Sequence, residues 1–138
     1  MQIQCFDSPQ EDAVKQLYTL VRQYNTEVMG YNDARPLNVL AWNDREELVG
    51  GVGGRTIYGH FLVEVVWVAA DSRRSGVGRQ LMERAEEEAR ARGCTAAQVD
   101  TLSFQGREFY ARLGFTIVGQ IANFPPGHQR YFMHKLYT

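Results

Sequence analysis

An α/β fold on one mixed sheet, ordered β-α-β-β-β-α-β-α-β-β, is the class this sequence predicts. Three observations carry the prediction. Two long segments, one near the N-terminus and one after residue 75, repeat apolar residues at helical spacing. Three strand-like runs follow one another between them with no helix interposed, unlike a repeating βαβ sheet. The remaining third reads strand, short helix, strand, strand. Several topologies share that order, so order alone leaves the fold open.

Taken in turn, Met1 to Phe6 alternates weakly and reads as a first strand. In "SPQE", Ser8 is the expected N-cap, Pro9 the first helical residue and Glu11 the partner in a capping box. Val14, Leu17, Tyr18, Val21 and Val28 keep helical spacing to about Val28, and "MGYNDARP" breaks it. Leu37 to Trp42 and Glu47 to Ile57 read as strands joined by a turn at "NDRE", and His60 to Val68 as a third, strongly apolar one. Gly76 to Arg92 is a helix with Val77, Leu81, Met82, Ala85 and Ala89 as its buried stripe and Gly93 as its stop. Ala96 to Thr101 is a strand, Ser103 to Leu113 a short helix closed by Gly114, and Phe115 to Ile121 and Gln129 to Leu136 the last strands. At 138 residues the chain suits a single domain, 1–138, without repeats, linkers or low-complexity segments.

Composition excludes several function classes. Fifteen Lys and Arg against sixteen Asp and Glu give a formal charge of -1, which argues against a general nucleic-acid binder. Cys5 and Cys94 are too few for a disulfide framework or a cysteine-based metal site, and no metal is expected. No basic stretch followed by an apolar run opens the chain, and the longest apolar run, Phe61 to Ala70, is interrupted by Glu64 and too short for a bilayer. A soluble, cytoplasmic protein with no membrane partner is the expectation.

"SRRSGVGRQLM", Ser72 to Met82, places Arg73 and Arg74 and two glycines at the start of a helix. On its own it fits two readings. One is a glycine-containing turn with solvated arginines. The other is an anion cradle, in which glycines let the backbone approach, the helix start supplies free N–H groups, and arginines add fixed charge. There is no G-x-x-x-x-G-K-S/T, and "GGVGGRT", Gly50 to Thr56, lies in a strand, so Walker-type and dinucleotide motifs fail. Those glycines mark positions where a side chain would obstruct a neighbour or ligand.

"VWVAADSRRSGVGRQLM" resembles the acyl-CoA-binding segment of the GNAT superfamily of N-acetyltransferases. Val68 ends the strand, and Arg73, Gly76 and Gly78 fall in the pattern R-x-x-G-x-G. "FYARLGF", Phe109 to Phe115, resembles the family's late aromatic-Tyr-x-x-x-Gly-Phe block. The resemblance covers nearly the whole chain and implies a GNAT-like acyl-CoA N-acyltransferase fold. It implies that the amides of Arg73, Arg74, Ser75, Gly76, Val77, Gly78 and Arg79 hold the pyrophosphate of coenzyme A. It also implies that Val66, Trp67 and Val68 contact the pantetheine arm. Ser103 stands where many members carry an asparagine on that arm, with shorter reach.

Tyr110 matches the tyrosine that protonates the leaving thiolate in the family; by itself it also reads as a packed helix residue. Glu64, the one charge between His60 and Val68, is expensive to bury unpaired. It reads either as the base for an attacking ammonium or as a carboxylate paired with a structural arginine or facing solvent. Strand alternation puts it on one face with His60, Leu62, Val66 and Val68, and His60 is a further base or orienting group. The function implied is acetyl transfer from acetyl-CoA to a primary amine by direct attack on the thioester; a non-catalytic acyl-CoA-binding module is the alternative. The acceptor, a small amine or a peptide amine, is expected near Tyr24, Glu27, Tyr31, Asp33, Trp42 and Phe124. The family's habit of dimerising points to a homodimer through exposed edges of the last two strands.

Overall fold

The computed structural model describes residues 1–138 and divides them into two compact units, Met1–Asp33 and Ala34–Thr138. In the first, residues 1–10 form no strand, correcting the expectation for Met1 to Phe6, because all six strands of the sheet come from the second unit. Helix α1 (Glu11–Met29) has Gln10 as its N-cap in the left-handed region, φ 48°, with no side-chain cap. Ser8 does not cap it; its Oγ accepts from Gln10 Nε2 at 2.9 Å, and Pro9 precedes the helix. At the other end Gly30, φ 82°, donates its N–H to Thr26 at 2.8 Å.

The second unit holds β1 (Arg35–Trp42), β2 (Leu48–Ile57), β3 (His60–Val68), α2 (Val77–Ala91), β4 (Ala96–Leu102), α3 (Arg107–Arg112), β5 (Thr116–Ala122) and β6 (Gln129–Leu136). The sheet runs β1-β2-β3-β4-β6-β5. Every neighbouring pair is antiparallel except β3 with β4, the pair connected through α2. β6 therefore lies inside the sheet and β5 alone forms that edge, so only one of the last two strands offers an edge for a second copy.

One sheet face is the core. Leu81, Met82, Ala85 and Ala89 of α2 bury against Leu37, Val52, Phe61, Val63, Ala97 and Val99, with Val77 packed beside them. The predicted stripe is the observed one. Arg92 ties the end of α2 to the first strands by donating to the carbonyl of Pro36 at 3.0 Å and to Thr56 Oγ1 at 3.1 Å. No helix is long and apolar enough to cross a membrane.

Two irregularities set up the site. Between β2 and β3 the register shifts, Gly54 facing Val63 and Gly53 facing Val65, so Glu64 is the extra residue of a bulge. A Cβ at Gly54 would drive into the carbonyl oxygen of Leu62, which explains one glycine of "GGVGGRT". Between β3 and β4, pairing covers only His60 with Ala96, Phe61 with Ala97 and Leu62 with Gln98. Beyond these three pairs the ladder stops although both strands continue.

Candidate active site

Extending the β3–β4 register by two residues sets Glu64 opposite Asp100, at the point where the strands part. Two cavities meet there. The first, about 710 Å³, is lined by His60, Leu62, Glu64, Gln98, Asp100, Val118, Phe132 and His134, among others. The second, about 430 Å³, runs along Val65 to Val68 to Arg73 and Gly78, with Thr101, Gln105, Gly106, Phe109 and Tyr110 on its other side. Glu64, Val99 and Asp100 line both.

The far end of the second cavity is an anion-ready helix start. Gly76, the N-cap of α2, sits at φ 86°, no side chain caps the helix, and no acidic residue occupies its first turn. Its first amides are therefore left for a ligand and carry the positive end of the helix dipole. Arg74 is also left-handed, φ 63°, a conformation ordinary side chains adopt at a cost. Arg73 turns back, its Nε donating to the carbonyl of Val68 at 2.9 Å, so its guanidinium stands beside the last strand carbonyl. Ser75 Oγ donates to the carbonyl of Ser72, and Arg79 pairs with Glu83 at 2.8 Å along the helix face. A Cβ at Gly78 would meet Phe109 at 3.2 Å and Val68 at 3.5 Å, so a bulkier residue would narrow the cavity wall. Val77 packs toward the core. An anionic, elongated ligand of coenzyme A type fits this set of donors and this channel.

Tyr110 is 7% exposed, held edge-on between Phe109 and Phe115 at 5.2 and 5.7 Å. The ring is packed as a helix residue and also lines the second cavity. Burial, and then the negative charge of Asp100, push its phenol up to about 12. Thr101 and Gly106 form the seat under the ring: Gly106 donates its N–H to Thr101 Oγ1 at 3.0 Å, and a Cβ there would lie 2.9 Å from the ring.

The bulge overturns the expected alternation of β3. Past Glu64 the faces exchange: Val66 and Val68 pack against the core, whereas Val65 and Trp67 are exposed. Glu64 therefore shares no face with Val66 and Val68; it stands at the hinge between two strand halves. Its Oε1 lies 3.7 Å from Arg55 Nε, both side chains at least half exposed, a pair worth about 0–1 kcal/mol. Asp100, which the sequence reading passed over, pairs with Arg130 at 3.1 Å. Only the register of β4 against β3, a property of the sheet and not of the sequence, brings it to Glu64. His60 lies four residues down the strand from Glu64, and Gln98 Nε2 approaches its Nδ1 at 3.1 Å.

Ser103 does not line either cavity. Its Oγ meets His128 Nδ1 at 3.3 Å and accepts the N–H of Gln129 at 3.1 Å, tying the loop after β4 to the start of β6. Gln105, two residues on, lines the second cavity instead, its Oε1 accepting the N–H of Leu102 at 2.9 Å. The wall of the first cavity comes from β3 to β6, not from Trp42 or Phe124. No cluster of three or more potential ligands could hold a metal ion.

Residues 3–115 match the model of the Acetyltransferase (GNAT) family. An acetyltransferase of Agrobacterium fabrum is 33% identical over 129 residues, 94% of each chain. A blasticidin-S acetyltransferase of Streptomyces morookaense is 38% identical over 107 residues, 75% of this chain and 79% of that one. A crystal structure from Agrobacterium tumefaciens superposes with a TM-score of 0.94 at 31% identity, covering 99% of this chain and all of the other. The strands that part, the uncapped glycine-led helix and these likenesses agree: the chain belongs to the GNAT acetyltransferase family and is an acetyltransferase that draws on acetyl-CoA.

Proposed function

We propose that this acetyltransferase acts on the amine of a small molecule, with donor and acceptor in the two cavities. The observation that carries the reading is that Glu64, Val99 and Asp100 line both cavities where β3 and β4 part. A cavity of about 710 Å³ is of small-molecule size, which favours a free amine over a protein segment. The Streptomyces relative is named for an antibiotic, in keeping with an acceptor of that size.

Acetyl-CoA supplies a thioester whose carbonyl carbon would form a bond to the nitrogen of the deprotonated amine as the C–S bond breaks; of the two protons that the ammonium gives up, one ends on the sulfur and one in solvent. The residues of the chain do the rest. The amides of Ser75 to Arg79 and the charge of Arg74 would hold the pyrophosphate, and the backbone of Val66 to Val68 with Gln105 would hold the arm. Glu64 and Asp100 would draw the ammonium to the junction and take up its proton, directly or through water. Tyr110 would donate its hydroxyl hydrogen to the sulfur as charge develops there.

The experiment is coenzyme A binding and free-thiol release against an amine panel, with Gly76→Glu beside the wild type. Crowding and charge repulsion at the helix start should abolish coenzyme binding in the variant. Unchanged affinity would remove the pyrophosphate assignment. Tight coenzyme binding by the wild type without thiol release on any amine would leave only a binding module.

A further inference from the structure

The first cavity carries, beyond its reacting end, polar groups that acetyl transfer does not use. His60 of β3, Gln98 of β4 and His134 of β6 all line it, and Gln98 and His134 are direct register partners. Gln98 Nε2 is a donor, so the Nδ1 of His60 accepts its hydrogen bond and the ring proton sits on Nε2. The Nδ1 of His134 is buried and makes no hydrogen bond. With Nδ1 enclosed, Nε2 is the nitrogen of the His134 ring left to meet a ligand in the cavity that the residue lines.

From this row to the reacting end the strands set the distance. Gln98 to Asp100 is two residues and His60 to Glu64 is four, roughly 7 and 13 Å at about 3.3 Å per residue. Leu62, Val118 and Phe132 fill the stretch between with apolar surface. The cavity lining thus has two carboxylates at the reacting end, each paired with an arginine that is not itself part of the lining, apolar surface in the middle and two imidazoles at the far end.

We propose that the His60–Gln98–His134 row is a recognition subsite for a carboxylate, and that the acceptor is a small molecule carrying its amine and a carboxylate at opposite ends of an apolar body. The inference rests on the reading of the first cavity as the acceptor side. Imidazole N–H groups donate to the carboxylate, while the Glu64 and Asp100 oxygens, acceptors only, receive the ammonium at the reacting end. One end of the substrate is selected by each end of the cavity.

The test uses binding rather than turnover. The protein saturated with coenzyme A is titrated with ω-amino carboxylates spanning roughly 7 to 13 Å and with alkylamines of matching length. The amino carboxylates should bind roughly tenfold or more tighter. His60→Ala and His134→Phe should each bring that ratio toward one, and His60→Gln, which keeps an N–H donor, should retain most of it. Coenzyme A affinity reports that each variant is folded. Equal affinities for the two series, a preference that survives both removals, or no binding of either series would overturn the proposal. Discrimination without thiol release from acetyl-CoA would overturn the acetyl-transfer reading and leave the carboxylate subsite standing.

Discussion

A phenol at about 12 changes what Tyr110 can do. At pH 8 all but about one molecule in ten thousand keeps its proton, so the donor form is always present. Complete transfer to a thiolate of ordinary pKa, about 8.5, runs roughly three units uphill, so in the proposed mechanism the residue contributes a hydrogen bond to developing charge. Tyr110→Phe should lower kcat about 10²-fold while changing the KM for acetyl-CoA little. The wild-type rate should show no alkaline limb from this group below about pH 11. Because the folded pKa lies above the unfolded value near 10, the neutral phenol's contribution to stability is complete below pH 10 and is lost as pH rises through 10 to 12. Urea melts across that window should lose less stability in Tyr110→Phe than in the wild type. Asp100 acts at the same scale. Asp100→Asn removes one of two carboxylates at the junction, and kcat/KM for the amine should fall about tenfold, with coenzyme affinity retained. An unchanged kcat/KM would leave Asp100 as a partner of Arg130 alone.

At the scale of elements, the site is the product of two interruptions in regular structure. The bulge at Glu64 lets one strand present core side chains on one face in its second half and keep a carboxylate at the turnover between halves. The loss of pairing after Leu62 and Gln98 opens the groove into which α2 points its uncapped end. α3 is short, six residues, and its start is fitted to Tyr110 rather than to the helix itself. Gly106 there has φ -110°, which alanine accepts, so Gly106→Ala tests space and not backbone strain. The added Cβ would press on a ring already fixed by Phe109 and Phe115, costing about 1–3 kcal/mol of stability and displacing the hydroxyl. A lower Tm together with a lower kcat is expected; a Tm drop with kcat intact would mean that the ring's position is not critical.

For the whole molecule, the weak seam of the sheet and the second cavity coincide. β3 and β4 share three paired residues, whereas β4 and β6 share seven. A ligand that hydrogen-bonds along the open half of that seam supplies contacts the sheet lacks. Acetyl-CoA at a hundred times its Kd should stabilise the fold by about 2.7 kcal/mol, raising Tm by roughly 10 °C. Differential scanning measurements would read it, and Gly76→Glu should abolish the gain. A Tm insensitive to acetyl-CoA in the wild type would contradict binding across the seam.

Much of this was written in the sequence. Local signals are enough for elements whose faces are set by a single period: α2 with its stripe, the strands from β1 to β6 within a residue or two, and the glycine-led turn at Gly76. The register of Val68, Arg73, Gly76, Gly78 and Tyr110 implied a coenzyme side by resemblance, and the structure brings Val68, Arg73, Gly78 and Tyr110 to one cavity. What the sequence could not carry was anything that depends on which strand lies beside which. Met1 to Phe6 alternates yet finds no strand to pair with, and an alternating pattern says nothing about a neighbour. The bulge inverts the faces of β3 where that strand approaches β2 closely at Gly54, and pairing with β2 is what defines it. Asp100, Gln105 and the His60–Gln98–His134 row became visible only once β3, β4 and β6 stood side by side, since hydrogen bonds and electric fields act through space. Period and composition act along the chain and determined the elements; pairing, bulge and splay act across it, and only the tertiary structure decided them.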